Sequence, residues 1–131
     1  MLKYLNLEVD FESNSKSNLK RLKEEGKPFA FFMSIGTPHD PWTKDNVPEE
    51  YYNRFKDVTF PVPPNFKTKA DDHTDFIWTR YKRSEYKMIN SWKQVYYAMV
   101  SNLDYNIGRL NKAIHDLGLD ENSIIVFTSD H

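Results

Sequence analysis

The stretch Ile124-Ile125-Val126-Phe127-Thr128-Ser129-Asp130-His131 sets four apolar residues directly before a carboxylate and an imidazole. An earlier stretch, "FAFFMSIGTPHDPW" (Phe29 to Trp42), has the same build. Its run Phe29 to Ile35 does not alternate, which suits a strand covered on both faces in a parallel sheet. Gly36 and Pro38 end that run. Each stretch thus reads as a buried strand that delivers polar groups at its carboxyl end.

The material between the two determines their relative direction. From Ser91 to Leu117, the residues Trp92, Tyr96, Met99, Leu103, Ile107, Leu110, Ile114 and Leu117 recur at spacings of three and four. That spacing predicts one long helix of roughly 40 Å with a continuous apolar stripe. Gly118 stands where a left-handed cap belongs. Gly108, inside the helix, is expected to permit close approach of a neighbouring backbone. A shorter helix is predicted from Ser15 to Glu25, capped by Ser15 or Ser17 and stopped by Gly26.

Pro48 to Phe55 reads as one or two helical turns, and the prolines of Phe60 to Phe66 hold that segment extended. Between Lys67 and Asn90 the pattern fits helix and loop equally. Strand, long crossover with a helix, then strand is the order of an α/β fold with a parallel-rich sheet flanked by helices. The expected organisation is one partial domain over residues 1–131. It comprises a strand at 28–35, an irregular aromatic-rich insertion at 36–90, a helix at 91–117 and a strand at 123–128.

With 39% hydrophobic and 28% charged residues and a formal net charge of −1, the 131-residue chain has the balance of a soluble globular domain. That balance argues against nucleic-acid binding through bulk charge. No run reaches membrane-spanning length, and "MLKYLNLEVDF" is too short and too charged to be a signal-peptide core. The absence of cysteine excludes disulfides, thiolate metal sites and a cysteine nucleophile within these residues.

In open α/β sheets, ligands sit beyond the carboxyl ends of the strands. If the two strands are parallel, His39, Asp130 and His131 share one rim of the sheet. Carboxylate oxygen suits a hard cation such as Ca²⁺ or Mg²⁺ and imidazole is tolerated beside it, though two donors alone are too few to hold one. A histidine on a second loop can protonate a leaving group or donate to an anionic oxygen. The same residues fit blander roles. An Asp-His pair after a strand also serves as turn chemistry, and a histidine between prolines also occurs as an exposed loop residue. His73, in "ADDHTD", fits a solvated acidic loop; His115 falls on the face away from the apolar stripe; Asp104 borders that stripe and fits a structural role.

"KPFAFFMSIGTPHDPW" followed by "YYAMVSNLDYNIGRLNKAIHDLGLDENSIIVFTSDH" resembles the central part of type I sulfatases of the alkaline phosphatase superfamily. The shared features are a strand ending in Pro-His-x-Pro, a helix of the form Tyr-x-Ala-x-Val-x-x-x-Asp-x-x-x-Gly-Arg-Leu, and a strand ending in Thr-Ser-Asp-His. They cover about residues 27 to 131. The resemblance implies that His39 contacts the sulfate group and assists the leaving oxygen. It implies that Asp130 is a metal ligand and that His131 also faces the ion, which is Ca²⁺ or, in its place, Mg²⁺. It gives Asp104, Gly108 and Arg109 an architectural part.

The departures are equally informative. The family nucleophile is a formylglycine made from Cys or Ser in a C/S-x-P-x-R motif, and no such motif occurs in these residues. Missing too are the paired aspartates of the metal site, the lysine-histidine motif, the glycine after Ser-Asp-His and the later sulfate-binding lysine. The expectation is therefore an internal segment of a longer sulfuric ester hydrolase, inactive by itself, with the formylglycine outside it. Its implied partner is a sulfated small molecule or sulfated glycan, with neither nucleic acid nor membrane. Its implied location is secreted, periplasmic or lysosomal. The alternatives are a phosphodiesterase or phosphoglycerol transferase of the same superfamily, and a non-catalytic glycan-binding fragment.

Overall fold

The computed structural model describes residues 11–61, 64 and 88–129. Asp130, His131, His73 and residues 67–87 of the undecided span 67–90 lie outside the described residues; the rest of that span, 88–90, leads into the helix Ile89–Asp116. The chain divides into two units, Met1–Gly36 with Leu103–His131, and Thr37–Asn102. Three α-helices carry the described structure: α1 (Ser17–Glu25), α2 (Glu49–Asn53) and α3 (Ile89–Asp116). Helix α3 contributes residues 89–102 to one unit and 103–116 to the other.

In the first unit, a π-helical turn at Phe11–Lys16 leads into α1. The expected serine cap is not used, because the chain already has helical dihedrals at Lys16, the N-cap of α1. Ser15 instead is buried and donates to the Met33 thioether at 3.5 Å, while Ser17 bonds the Asn14 carbonyl. Leu19 is the buried residue of α1. Gly26 ends the helix in the left-handed region, as expected, with φ 64° and its N–H on the Lys23 carbonyl.

Helix α3 ends on Gly118 at φ 60°. There the Gly118 N–H bonds the His115 carbonyl at 2.8 Å and the Leu119 N–H bonds that of Ile114 at 3.0 Å. This 5→2 and 6→1 pair is a Schellman motif, and it satisfies two carbonyls that the helix leaves open. Lys23 donates to the Leu117 carbonyl and so ties α1 to this end. Gly108 gains no close neighbour: a Cβ placed there meets nothing within 4 Å. Its expected role in backbone approach is therefore not seen among the described residues.

The parallel sheet is likewise not formed among the described residues. Residues 28–36 and 123–129, which contain both expected strands, carry no ladder. Phe32 is 91% exposed and Ile124 93%, with Ile125, Val126 and Phe127 also exposed. The reason is physical: a strand is a property of a pair. A parallel strand needs at least one paired neighbour and layers on its faces, and no paired neighbour stands beside these ribbons in the described residues.

The second unit has a small core of its own. Val47, Tyr51, Val95, Ala98 and Met99 are buried together, with Trp42, Tyr52 and Phe55 packed against them. Helix α2 starts after Pro48, a residue suited to a helix entrance, and its turn was expected over Pro48 to Phe55. The segment 56–61 has no ladder partner among the described residues. Helix α3 supplies the missing donors: Asn90 and Gln94 bond the Val58 carbonyl, Gln94 also that of Lys56, and Lys93 that of Pro61. The Phe60 N–H in turn donates to the Asn90 side-chain oxygen at 2.8 Å. Phe60 stacks on Tyr97 with ring centroids 4.5 Å apart.

Candidate active-site loop

The loop that presents His39 lies wholly within the second unit. Its backbone is pinned on both sides of the His39-Asp40 pair. Upstream, the Trp42 indole N–H donates to the Pro38 carbonyl at 3.0 Å. Downstream, the Asn46 side-chain amide donates to the Pro41 carbonyl at 2.6 Å and to the Thr43 hydroxyl at 3.1 Å. The Thr37-Pro38 and Asp40-Pro41 peptide bonds are both cis. Trp42 is itself held by aromatic contacts, 6.1 Å from Trp92 and 6.3 Å from Tyr96 between ring centroids. The loop thus rests on the same aromatic packing that builds the core around α3.

On this platform the His39 side chain is 71% exposed. Its Nδ1 lies 2.7 Å from a carboxylate oxygen of Asp40 and 2.9 Å from the Asp40 carbonyl oxygen. A carbonyl oxygen can only accept, so Nδ1 is the donor and carries the hydrogen. Nε2 makes no hydrogen bond among the described residues. An imidazole held at one nitrogen and open at the other can bind an anionic oxygen or move a proton to it. His39, expected from sequence as a candidate, is therefore displayed as such a group requires. Asp40 and Trp42 were not assigned a part from sequence. The signal available for Asp40 was its place beside His39 in Pro-His-Asp-Pro.

The other candidates fall elsewhere. Asp130 and His131, expected to converge with His39, are outside the described residues. Among the described residues no three His, Cys, Asp or Glu side chains stand close enough to hold a metal ion. The described donors by themselves thus do not make a cation site. Asp104 is exposed, not buried. Arg109 donates to the Asn106 side chain at 3.2 Å and lies 5.8 Å from the Tyr105 ring centre, which fits an architectural part. His115 is exposed, as expected, and pairs with Asp120 at 2.6 Å; that hydrogen bond and the neighbouring carboxylate charge raise its pKa. No described helix is long and apolar enough to cross a membrane.

Comparison with known proteins places this loop in a family. The chain is 30% identical over 118 residues to an ulvan-active sulfatase of Formosa agariphila, covering 90% of this chain and 20% of that protein. It is 28% identical over 123 residues to an arylsulfatase of Clostridium perfringens, covering 90% and 25%. It is 27% identical over 135 residues to human (Homo sapiens) iduronate 2-sulfatase, covering 86% and 23%. The chain therefore spans about a fifth to a quarter of the length of these relatives. No solved structure matches it. The family model described as Sulfatase matches residues 10–131, which include the pinned His39 loop and helix α3, and the chain belongs to the sulfatase family.

Proposed function

We propose that these residues serve the hydrolysis of sulfate esters, with His39 as the group that protonates the departing alcohol. The observation that carries this reading is the display of His39 on a pinned loop, with Nδ1 occupied and Nε2 open. Family membership supports the choice of sulfate over other esters. As the sulfur–oxygen bond breaks, its electron pair moves to the ester oxygen. The imidazolium gives that oxygen the Nε2 proton, and the alcohol leaves as a neutral molecule. The imidazole remains neutral with its hydrogen on Nδ1. General acid assistance of this kind contributes about 10²- to 10⁴-fold where the leaving group is poor.

The nucleophile has no candidate here, because the residues contain no C/S-x-P-x-R motif. The formylglycine that the family resemblance implies would supply the attacking oxygen. The 131-residue polypeptide by itself is accordingly proposed to be inactive. Asp130 and His131 are proposed as donors to a Ca²⁺ or Mg²⁺ ion completed by other ligands. The parallel-rich α/β sheet is proposed for the same setting, in which neighbouring strands flank residues 28–35 and 123–128.

A sulfated saccharide is the proposed substrate class. Relatives named for ulvan and for iduronate favour it, and the half-exposed rings of Trp92 and Tyr96 near the loop suit a sugar face. A phosphodiesterase or phosphoglycerol transferase is the weaker reading, since the relatives described above are sulfatases. Export to a secreted, periplasmic or lysosomal location is proposed on family grounds alone.

The test is a sulfate-release assay with an aryl sulfate. The 131-residue chain should show no turnover above its His39→Ala variant. In the longest polypeptide its gene encodes, His39→Ala should lower kcat. Turnover unchanged by His39→Ala there would end the proposal for His39.

A further inference from the structure

We infer that Asp40 is the positioning residue for His39: its carboxylate holds Nδ1–H and turns Nε2 outward to the leaving oxygen. The inference rests on the proposed part of His39 in ester cleavage. It goes beyond that proposal by assigning a second residue and a required tautomer.

Three observations converge. The Asp40 carboxylate stands 2.7 Å from Nδ1, with its side chain only 18% exposed against 71% for the imidazole. The more buried partner is thus the acceptor, and the more exposed one is the group free to meet substrate. Second, the Asp40 carbonyl lies 2.9 Å from the same nitrogen, so two acceptors on one residue define the ring plane. Third, the backbone that carries both residues is pinned at Pro38 by Trp42 and at Pro41 by Asn46. With the loop fixed and Nδ1 held, the rotation of the imidazole about its own bonds is the remaining freedom, and the carboxylate removes it. Carboxylate–histidine pairs elsewhere work in this way: the partner of one ring nitrogen sets which tautomer the other offers.

The tautomer is the discriminating prediction. A free histidine side chain favours hydrogen on Nε2, which would leave no lone pair there to receive a proton between turnovers. The Asp40 contact reverses that preference.

Long-range ¹H–¹⁵N spectra of the 131-residue chain, with neutral imidazole, read the tautomer without any need for activity. The wild type should carry hydrogen on Nδ1 of His39, and Asp40→Ala should return it largely to Nε2. Asp40→Asn keeps a side-chain acceptor and should preserve the Nδ1–H form, which also serves if Asp40→Ala fails to fold. An unchanged tautomer in a folded Asp40→Ala chain would overturn the inference, since the backbone carbonyl alone would then suffice.

The second arm uses the longest polypeptide of the gene and aryl sulfates with good and poor leaving groups. Asp40→Ala should lower kcat about 10- to 100-fold for poor leaving groups, with little change for good ones and little change in KM. If Asp40→Ala matches wild type on every ester while His39→Ala does not, the inference fails and the reading of His39 stands. If His39→Ala also matches wild type, the reading of His39 itself has failed.

Discussion

Gln94 reaches from helix α3 to Val58, its Nε2 lying 2.9 Å from the Val58 carbonyl and 2.8 Å from that of Lys56. It is a buried polar side chain, 8% exposed, and it grips a segment that has no ladder partner among the described residues. Gln94→Leu keeps much of the volume and removes both donors. The expected loss is about 1–3 kcal/mol of unfolding free energy. Urea denaturation of the two chains should show a lower midpoint at an unchanged slope.

The glycines should respond with opposite signs. Gly118 sits at φ 60°, where an added Cβ is strained, so Gly118→Ala should destabilise by about 1 kcal/mol. Gly108 lies inside α3 with open space beside it, so Gly108→Ala should stabilise by up to about 1 kcal/mol. Thermal melts of both variants beside the wild type check the pair of signs.

The His115–Asp120 pair should make stability depend on pH in a defined window. The hydrogen bond from His115 lowers the Asp120 pKa below its ordinary 3.8, and the same bond raises that of His115 above 6.5. The Asp120 contribution is present above its ordinary value and is lost as pH falls through the lowered one. The His115 contribution is full below its ordinary value and is lost as pH rises through the raised one. Melting temperature should therefore fall on the alkaline side of about pH 6.5, and His115→Gln should flatten that fall between about pH 5 and 8. Both groups are solvent-exposed, so added salt should shrink the effect.

The exposed ribbon Ile124–Phe127 should drive self-association. It is uncharged, apolar and without a ladder partner among the described residues, which is the profile of an aggregating edge. Val126→Lys places a charge at a residue 78% exposed and should leave the melting temperature nearly unchanged. Sedimentation velocity should show less of the heavy species in the variant than in the wild type.

What could be read from sequence divides along physical lines. Helix α3 was expected over 91–117 and spans Ile89–Asp116, because a stripe at spacings of three and four together with Gly118 encodes it locally. Which face is buried was less legible. Gln94, Val95, Ala98, Met99, Asn102, Asn106 and Ala113 are the buried residues; of the expected stripe Met99 is among them, whereas Leu103, Ile107 and Leu110 are only partly covered. Burial is decided by what packs on the helix, and part of that stripe has no cover among the described residues. The ribbons at 28–35 and 123–128 were legible as apolar runs, but pairing belongs to two segments and cannot be encoded in one. His39 could be found from Pro-His-x-Pro, whereas Asp40, adjacent in that motif, was given a part by its distance of 2.7 Å from Nδ1.

The indole of Trp42 belongs to two neighbourhoods at once. Its N–H holds Pro38, one residue before the imidazole, while its ring leans on Trp92 and Tyr96. Any exchange of those two aromatics would therefore also be transmitted to the backbone that carries His39. On the proposed function, substrate fit and the placing of the imidazole share one support in this loop, and whoever alters the first should expect to move the second.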